Sequence, residues 1–231
     1  GDTVGSYQLC INSRPTNNVL YFPEGFATDT IREFISIVNP NTTAANYSVT
    51  LRYETGDLET VITSGIVQPG SRGGTTIIDG SNFQAAGIRK GVPYSVIIES
   101  DQPLGATMAH YDFGNAIGDS FTERLSASWN FARVQREPGG VMDFIVFYNP
   151  SAFQVDVTLT AYQTGRAPVS STQTVGALRR GGFSITDMPE LPLGVFSVVL
   201  TAKATNPSNQ PAFEGVVASL SHYSADGSAG F

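Results

Sequence analysis

The chain has one cysteine, two histidines and one tryptophan in 231 residues, and Asp, Glu, Lys and Arg together make up only 14% of it. A single cysteine, Cys10, excludes an internal disulfide, so no redox compartment can be read from bridges. Gln8-Leu9 ahead of it are not the small residues that precede a lipidated cysteine, and Cys10 is expected as a buried or edge thiol, the alternative being an intermolecular bridge. There is no Gly-x-Ser-x-Gly elbow, no His-Glu-x-x-His and no glycine loop followed by Lys-Ser/Thr, which leaves nucleophilic, zinc and phosphate-binding chemistry without a signature. Positive charge is scarce too: 13 basic residues face 20 acidic ones, a net charge of −7, so a phosphate backbone would be repelled and nucleic acid is not an expected partner. No apolar run approaches the roughly 18 residues that cross a bilayer, so no membrane span is expected. No signal peptide remains, and if the protein is exported this is expected to be the exported form.

What is present is said twice. Phe34 to Val38, Asn39-Pro40, Thr55-Gly56, Arg72-Gly73-Gly74, Asp79, Gln102-Pro103 and His110-Tyr111 return in order as Phe144 to Tyr148, Asn149-Pro150, Thr164-Gly165, Arg180-Gly181-Gly182, Asp187, Gln210-Pro211 and His222-Tyr223. The spacing barely drifts: Asn39 and Asn149 lie 110 apart, Arg72 and Arg180 lie 108 apart, His110 and His222 lie 112 apart. Such ordered recurrence copies a folding unit, because only a unit with its own core can be duplicated and still bury its apolar faces. Two domains are therefore expected, 1–125 with an N-terminal lead-in and 126–231.

Within each copy the period is two. Tyr47, Val49, Leu51 and Tyr53 alternate with Ser48, Thr50 and Arg52, and Val155, Val157, Leu159 and Ala161 alternate with Asp156, Thr158 and Thr160, the mark of strands with one buried face. Fuller apolar runs at 34–38, 94–98, 144–148 and 195–200 read as central strands. The pattern predicts about seven strands per copy, near 19–23, 33–38, 46–53, 59–67, 73–78, 93–99 and 104–112, with counterparts from 128 to 223. Seven short antiparallel strands in a unit of this length predict an all-β fold of two tandem immunoglobulin-like β-sandwich domains related by internal duplication. One helical turn is expected around 82–88, a loop over 113–120, and short lead-in strands at Tyr7 to Ile11 and Phe121 to Leu125. Asn39-Pro40 and Asn149-Pro150 read as strand stops, since proline has no N–H for the ladder and asparagine closes a turn through its own side chain.

The candidate chemistry is thin. His110 and His222 are the natural bases near neutral pH; each sits beside a tyrosine, and alternation predicts that one of each His/Tyr pair packs inward while the other faces solvent. Both histidines are expected to be structural, the alternative being a ligand or base. Arg72 and Arg180 are the basic residues repeated at one position, expected to pair with a carboxylate of their own domain, the alternative being an acidic sugar. Asp79 and Asp187 suit Asx-type turns rather than calcium, although Asp101, Asp112 and Asp119 lie within reach of such a role by type. Phe26, Phe83, Phe121 and Phe153 fall in loops and, if clustered, would make an interaction patch.

Tyr21-Phe22-Pro23-Glu24-Gly25-Phe26, the Asn39-Pro40 stop, Val67-Gln68-Pro69-Gly70-Ser71-Arg72 and Glu99-Ser100-Asp101-Gln102-Pro103 together resemble a family of tandem repeats in large bacterial cell-surface and secreted proteins. The second copy departs from it, with Trp129-Asn130-Phe131-Ala132-Arg133 and Gly176-Ala177-Leu178-Arg179-Arg180 at the corresponding places. The resemblance implies an extracellular β-sandwich module of unassigned role. The expectation is then a noncatalytic structural or adhesive module at the cell surface, in the medium or in the periplasm, with no catalytic residue, cofactor or metal. It would act as a monomer, its partner a cell-surface glycan or another protein. The alternatives are a carbohydrate-binding module and, third, a hydrolase using His110 or His222, which would place one of them in a pocket beside a Ser or Asp.

Overall fold

Strands form where apolar side chains alternate and stop where Asn-Pro or glycine interrupts the ladder. The computed structural model describes residues 18–29, 31–77, 87–112 and 115–224. In the first half these are β1 (Asn18–Phe22), β2 (Arg32–Val38), β3 (Ala45–Tyr53), β4 (Glu59–Val67), β5 (Arg72–Thr76), β6 (Tyr94–Ser100), β7 (Gly105–Asp112) and β8 (Asn115–Ser120). The second half follows with β9 (Ser128–Arg136), β10 (Val141–Tyr148), β11 (Val155–Tyr162), β12 (Val169–Val175), β13 (Arg180–Ser184), β14 (Gly194–Ala204) and β15 (Val217–Ser224). Two short 3-10 helices, Ile185–Asp187 and Pro207–Ala212, complete the described residues. The expected lead-in strand at 7–11, Cys10, Asp79, Phe83 and most of the expected helical turn lie outside the described residues.

All strand pairs are antiparallel, and they make four sheets. Two lie in the first half, in the orders β1-β6-β3-β4 and β5-β2-β7-β8. In the second half, β9-β14-β11-β12 repeats the first order position by position, and β13-β10-β15 repeats β5-β2-β7. Two separate cores result. One holds residues between Leu20 and Phe121, among them Ile35, Ile37, Leu51, Ile98 and Met108, drawn from both sheets of the first half. The other holds residues between Val134 and Ala218, among them Ile145, Phe147, Leu159 and Leu200. Each large side chain so buried contributes roughly 1.5–3 kcal/mol, which holds the alternating faces in register.

The two Asn-Pro stops have the same construction. Asn39 and Asn149 are fully buried. The Asn39 amide donates to the carbonyls of Thr43 and Val67 at 2.8 and 2.9 Å, and its Oδ1 accepts from the Asn41 N–H. The Asn149 amide donates to Phe153 and Gly176, both at 2.8 Å, and its Oδ1 accepts from the Ser151 N–H.

Two local expectations need correction. Residues 115–120, read as loop, form β8 and pair with β7 as a hairpin. Asn, Gly and Asp give this piece little strand propensity of its own, and the open edge of β7 supplies what the sequence withholds. Conversely, 121–125 makes no strand: Phe121 drops into the first core and Thr122 forms a single bridge with Tyr21. The stretch after β14 folds into the second 3-10 helix, capped by the Asn206 side chain accepting from the Ser208 N–H.

Candidate functional site at the junction of the halves

The residue just before the Phe-Ile of each copy is acidic, Glu33 and Asp143, and it points into its own core. In β2 the burial alternates so that Glu33, Ile35 and Ile37 face inward. Register places Glu33 opposite His110 on β7, and Asp143 opposite His222 on β15. Each pair closes into a hydrogen bond through histidine Nδ1, 2.6 Å to Glu33 Oε1 and 2.5 Å to Asp143 Oδ1. Glu33 and Asp143 have no exposed surface, and the histidines have 2% and 5%. A backbone N–H adds to each carboxylate, from Phe26 at 3.1 Å and from Gln135 at 2.6 Å.

The first pair has a further donor. Tyr94 donates its hydroxyl to Glu33 Oε2 at 2.5 Å, and burial, then the Glu33 charge, pushes the phenol well above its ordinary pKa. Burial likewise raises the Asp143 carboxyl, against the opposing pull of the Gln135 amide and His222. Neither acid was singled out from sequence, although Glu33-Phe34-Ile35 and Asp143-Phe144-Ile145 recur in phase and carried the signal.

The outer face of β10 meets the first half. Phe144, Val146 and Tyr148 point away from the second core, yet Val146 and Tyr148 are buried. Tyr148 lies 5.8 Å from the Tyr21 ring, and burial raises its pKa. Tyr223 lies 6.2 Å from Phe144 and 6.5 Å from His110. The alternation rule holds for His110 and Tyr111, which is 46% exposed, and fails for Tyr223, which is 1% exposed like its buried neighbour His222. The side that would face solvent is occupied by the first half. There Glu24, 8% exposed, accepts the Tyr223 hydroxyl at 3.1 Å and the Ser221 hydroxyl.

The hairpin tip between β3 and β4 is gripped from across the junction. Arg179 donates to the carbonyls of Gly56 at 2.7 Å, Asp57 at 3.2 Å and Tyr53 at 3.3 Å. Arg180 pairs with Glu54 at 2.5 Å. Expected to bind a carboxylate of its own half, Arg180 instead crosses to the other, because its register partner Tyr148 faces the first half. Arg72 is exposed and stands apart.

A pocket of about 350 Å³ opens at this junction, with Glu24, Phe26, His110, Phe144, Arg180 and Tyr223 in its lining. It brings His110 and Arg180 together and leaves out His222 and Arg72. The described loop aromatics do not form a separate patch: Phe121 is buried, and Phe26 and Phe153 pack against the cores. Asp101 accepts from the Asn46 backbone at 2.8 Å and from its side chain at 2.5 Å, which lowers its pKa. Asp187 accepts from the Ser184 hydroxyl at 2.6 Å. Among the described residues no group of three or more His, Cys, Asp or Glu could hold a metal ion, and no helix is long and apolar enough to cross a membrane.

No protein-family model matches the chain, and no curated protein matches it. A solved structure, the crystal structure of Thermotoga maritima 1070, is similar to part of it, with 18% identity and a TM-score of 0.39 over 46% of this chain and 94% of that one. A likeness that slight carries no argument.

Proposed function

We propose that the chain is a noncatalytic structural or adhesive module acting outside the cytoplasm, built of two tandem immunoglobulin-like β-sandwiches, 1–125 and 126–231, that arose by duplication. The observation that carries the reading is the repeated acid-histidine pair. Both histidines spend Nδ1 on a carboxylate at matched register and both pairs are buried, with His110 also lining the junction pocket. A buried pair kept at the same register in both copies suits a clamp between two central strands. Ser221 neighbours His222 in sequence but points to the opposite face, toward Glu24. The surface role leans on the low charge and on the repeat-like motifs of the first copy.

The junction pocket supports a second reading, a carbohydrate-binding module. Its volume falls in the range of small-ligand sites, and it offers aromatic walls with an Arg180–Glu54 pair at hand. Two assays separate the readings. The wild-type chain is expected to turn over no ester, peptide or glycoside substrate above background, and activity that vanished in a folded His110→Gln variant would refute the noncatalytic reading. Binding on a glycan array that is lost in Phe144→Ala would promote the second.

A further inference from the structure

The interface between the halves has two sides, and each has an equivalent that is exposed among the described residues. On the second half the docking face is the outer side of β13-β10-β15, with Phe144, Tyr148, Arg180 and Tyr223. Register for register, the same positions on β5-β2-β7 are Phe34, Val38, Arg72 and Tyr111: Val38 pairs with Arg72 as Tyr148 pairs with Arg180, and Arg32 with Tyr111 as Met142 with Tyr223. In the second half this face is covered. In the first half Phe34, Val38 and Tyr111 are 42%, 48% and 46% exposed, with the Phe34 and Tyr111 rings edge to face at 5.9 Å.

The other side of the junction is the end of the first half, where Glu54 before the Thr55-Gly56 tip and Pro93 before β6 meet the partner half. Its equivalent on the second half is Gln163 before Thr164-Gly165, together with Leu193 and Val195 at the start of β14. Here Tyr162, Leu193 and Val195 are 44%, 59% and 48% exposed. Of the large apolar residues exposed in the described part of the chain, only Val61 and Ile66 lie outside these two ends.

We infer that the occupant of the Phe34 face is a second copy of this chain, docked head to tail through its Leu193 end, so that the internal junction repeats between molecules. Apolar surface meets apolar surface at both ends, and Arg72 comes opposite Gln163 where Arg180 meets Glu54. The contact keeps the apolar part of the junction and a hydrogen bond in place of the ion pair, but Ser71 stands where Arg179 grips, Ala109 where Ser221 donates, and no Glu24 element is present, so it is weaker than the internal one. Because the two surfaces differ, the association is heterologous and continues rather than stopping at a two-fold dimer. The inference rests on the proposed repeat relation and goes beyond it in naming the partner.

The test is sedimentation velocity of the full chain over a wide concentration range, with Phe34→Glu to block one end and Leu193→Lys to block the other. Both positions are exposed, so both variants should keep the wild-type urea midpoint. Wild type is expected to grow with concentration, each variant alone to stay monomeric, and the two mixed to form a 1:1 dimer and nothing larger, since one good end remains on each. A wild type that stays monomeric, single variants that assemble as wild type does, or a mixture with no dimer would overturn the inference. Assembly appearing only after removal of residues 1–17 would give the face to that segment and overturn it equally. Halves that failed to superimpose in a crystal structure would sink the repeat reading itself, whereas superimposable halves in a monomeric chain would sink only this inference.

Discussion

Tyr223→Phe combined with Glu24→Gln probes whether the halves are joined by chemistry or merely adjacent. The Glu24 carboxylate is 8% exposed and accepts hydroxyls from Tyr223 and Ser221, both on the other half. A hydrogen bond to a charged group contributes about 1.5–3 kcal/mol, and one between neutral groups about 0.5–1.5. Removing the Tyr223 hydroxyl should therefore cost roughly 2 kcal/mol, because a largely buried carboxylate loses a donor. Glu24→Gln keeps the shape and loses the charge, at a cost of roughly 1–2 kcal/mol by the same difference. With both changes made, the second loss is smaller, and the cycle should return a coupling of about 1–2 kcal/mol. Urea unfolding of the four proteins, followed through the single tryptophan, Trp129, measures it. Additivity within about 0.3 kcal/mol would refute the reasoning.

Two further outcomes follow from the buried polar groups. Burial raises the Asp143 carboxyl above its ordinary 3.8, so the folded protein holds that proton more tightly than the unfolded chain; the associated stability is full below 3.8 and is lost as pH rises through the folded value. The stability gap between wild type and Asp143→Asn should thus narrow as pH climbs from below 3.8 through the mildly acidic range in stepped-pH urea titrations, and a gap that widens would contradict it. Asn39→Ala and Asn149→Ala each remove a fully buried amide that donates to two carbonyls, and calorimetry should show both destabilised by about 1–3 kcal/mol; a loss in only one would break the equivalence of the two turns.

Local pattern carried most of the strands and little of the junction. Ile35, Ile37, Val157 and Leu159 declare their inward face by alternation, and Asn39-Pro40 and Asn149-Pro150 declare their turns, because both signals live within a few residues. The burial of Tyr223 and the crossing of Arg180 to Glu54 depend on which surface the other half covers, and no period within a strand encodes that. Glu33 and Asp143 were hidden differently. An acid at one end of an apolar strand reads as its solvated edge until the cross-strand histidine is placed opposite, and that placement needs the register between β2 and β7 or between β10 and β15.

The most direct measurement is the unfolding free energy of His110→Gln and His222→Gln, side by side in the full chain. If the histidines clamp the central strands, each variant leaves a buried carboxylate short of a partner, and both should lose about 2–4 kcal/mol, by similar amounts. Stability left unchanged or raised in either, as happens when a strained reactive group is removed, would contradict the structural role assigned to the pairs.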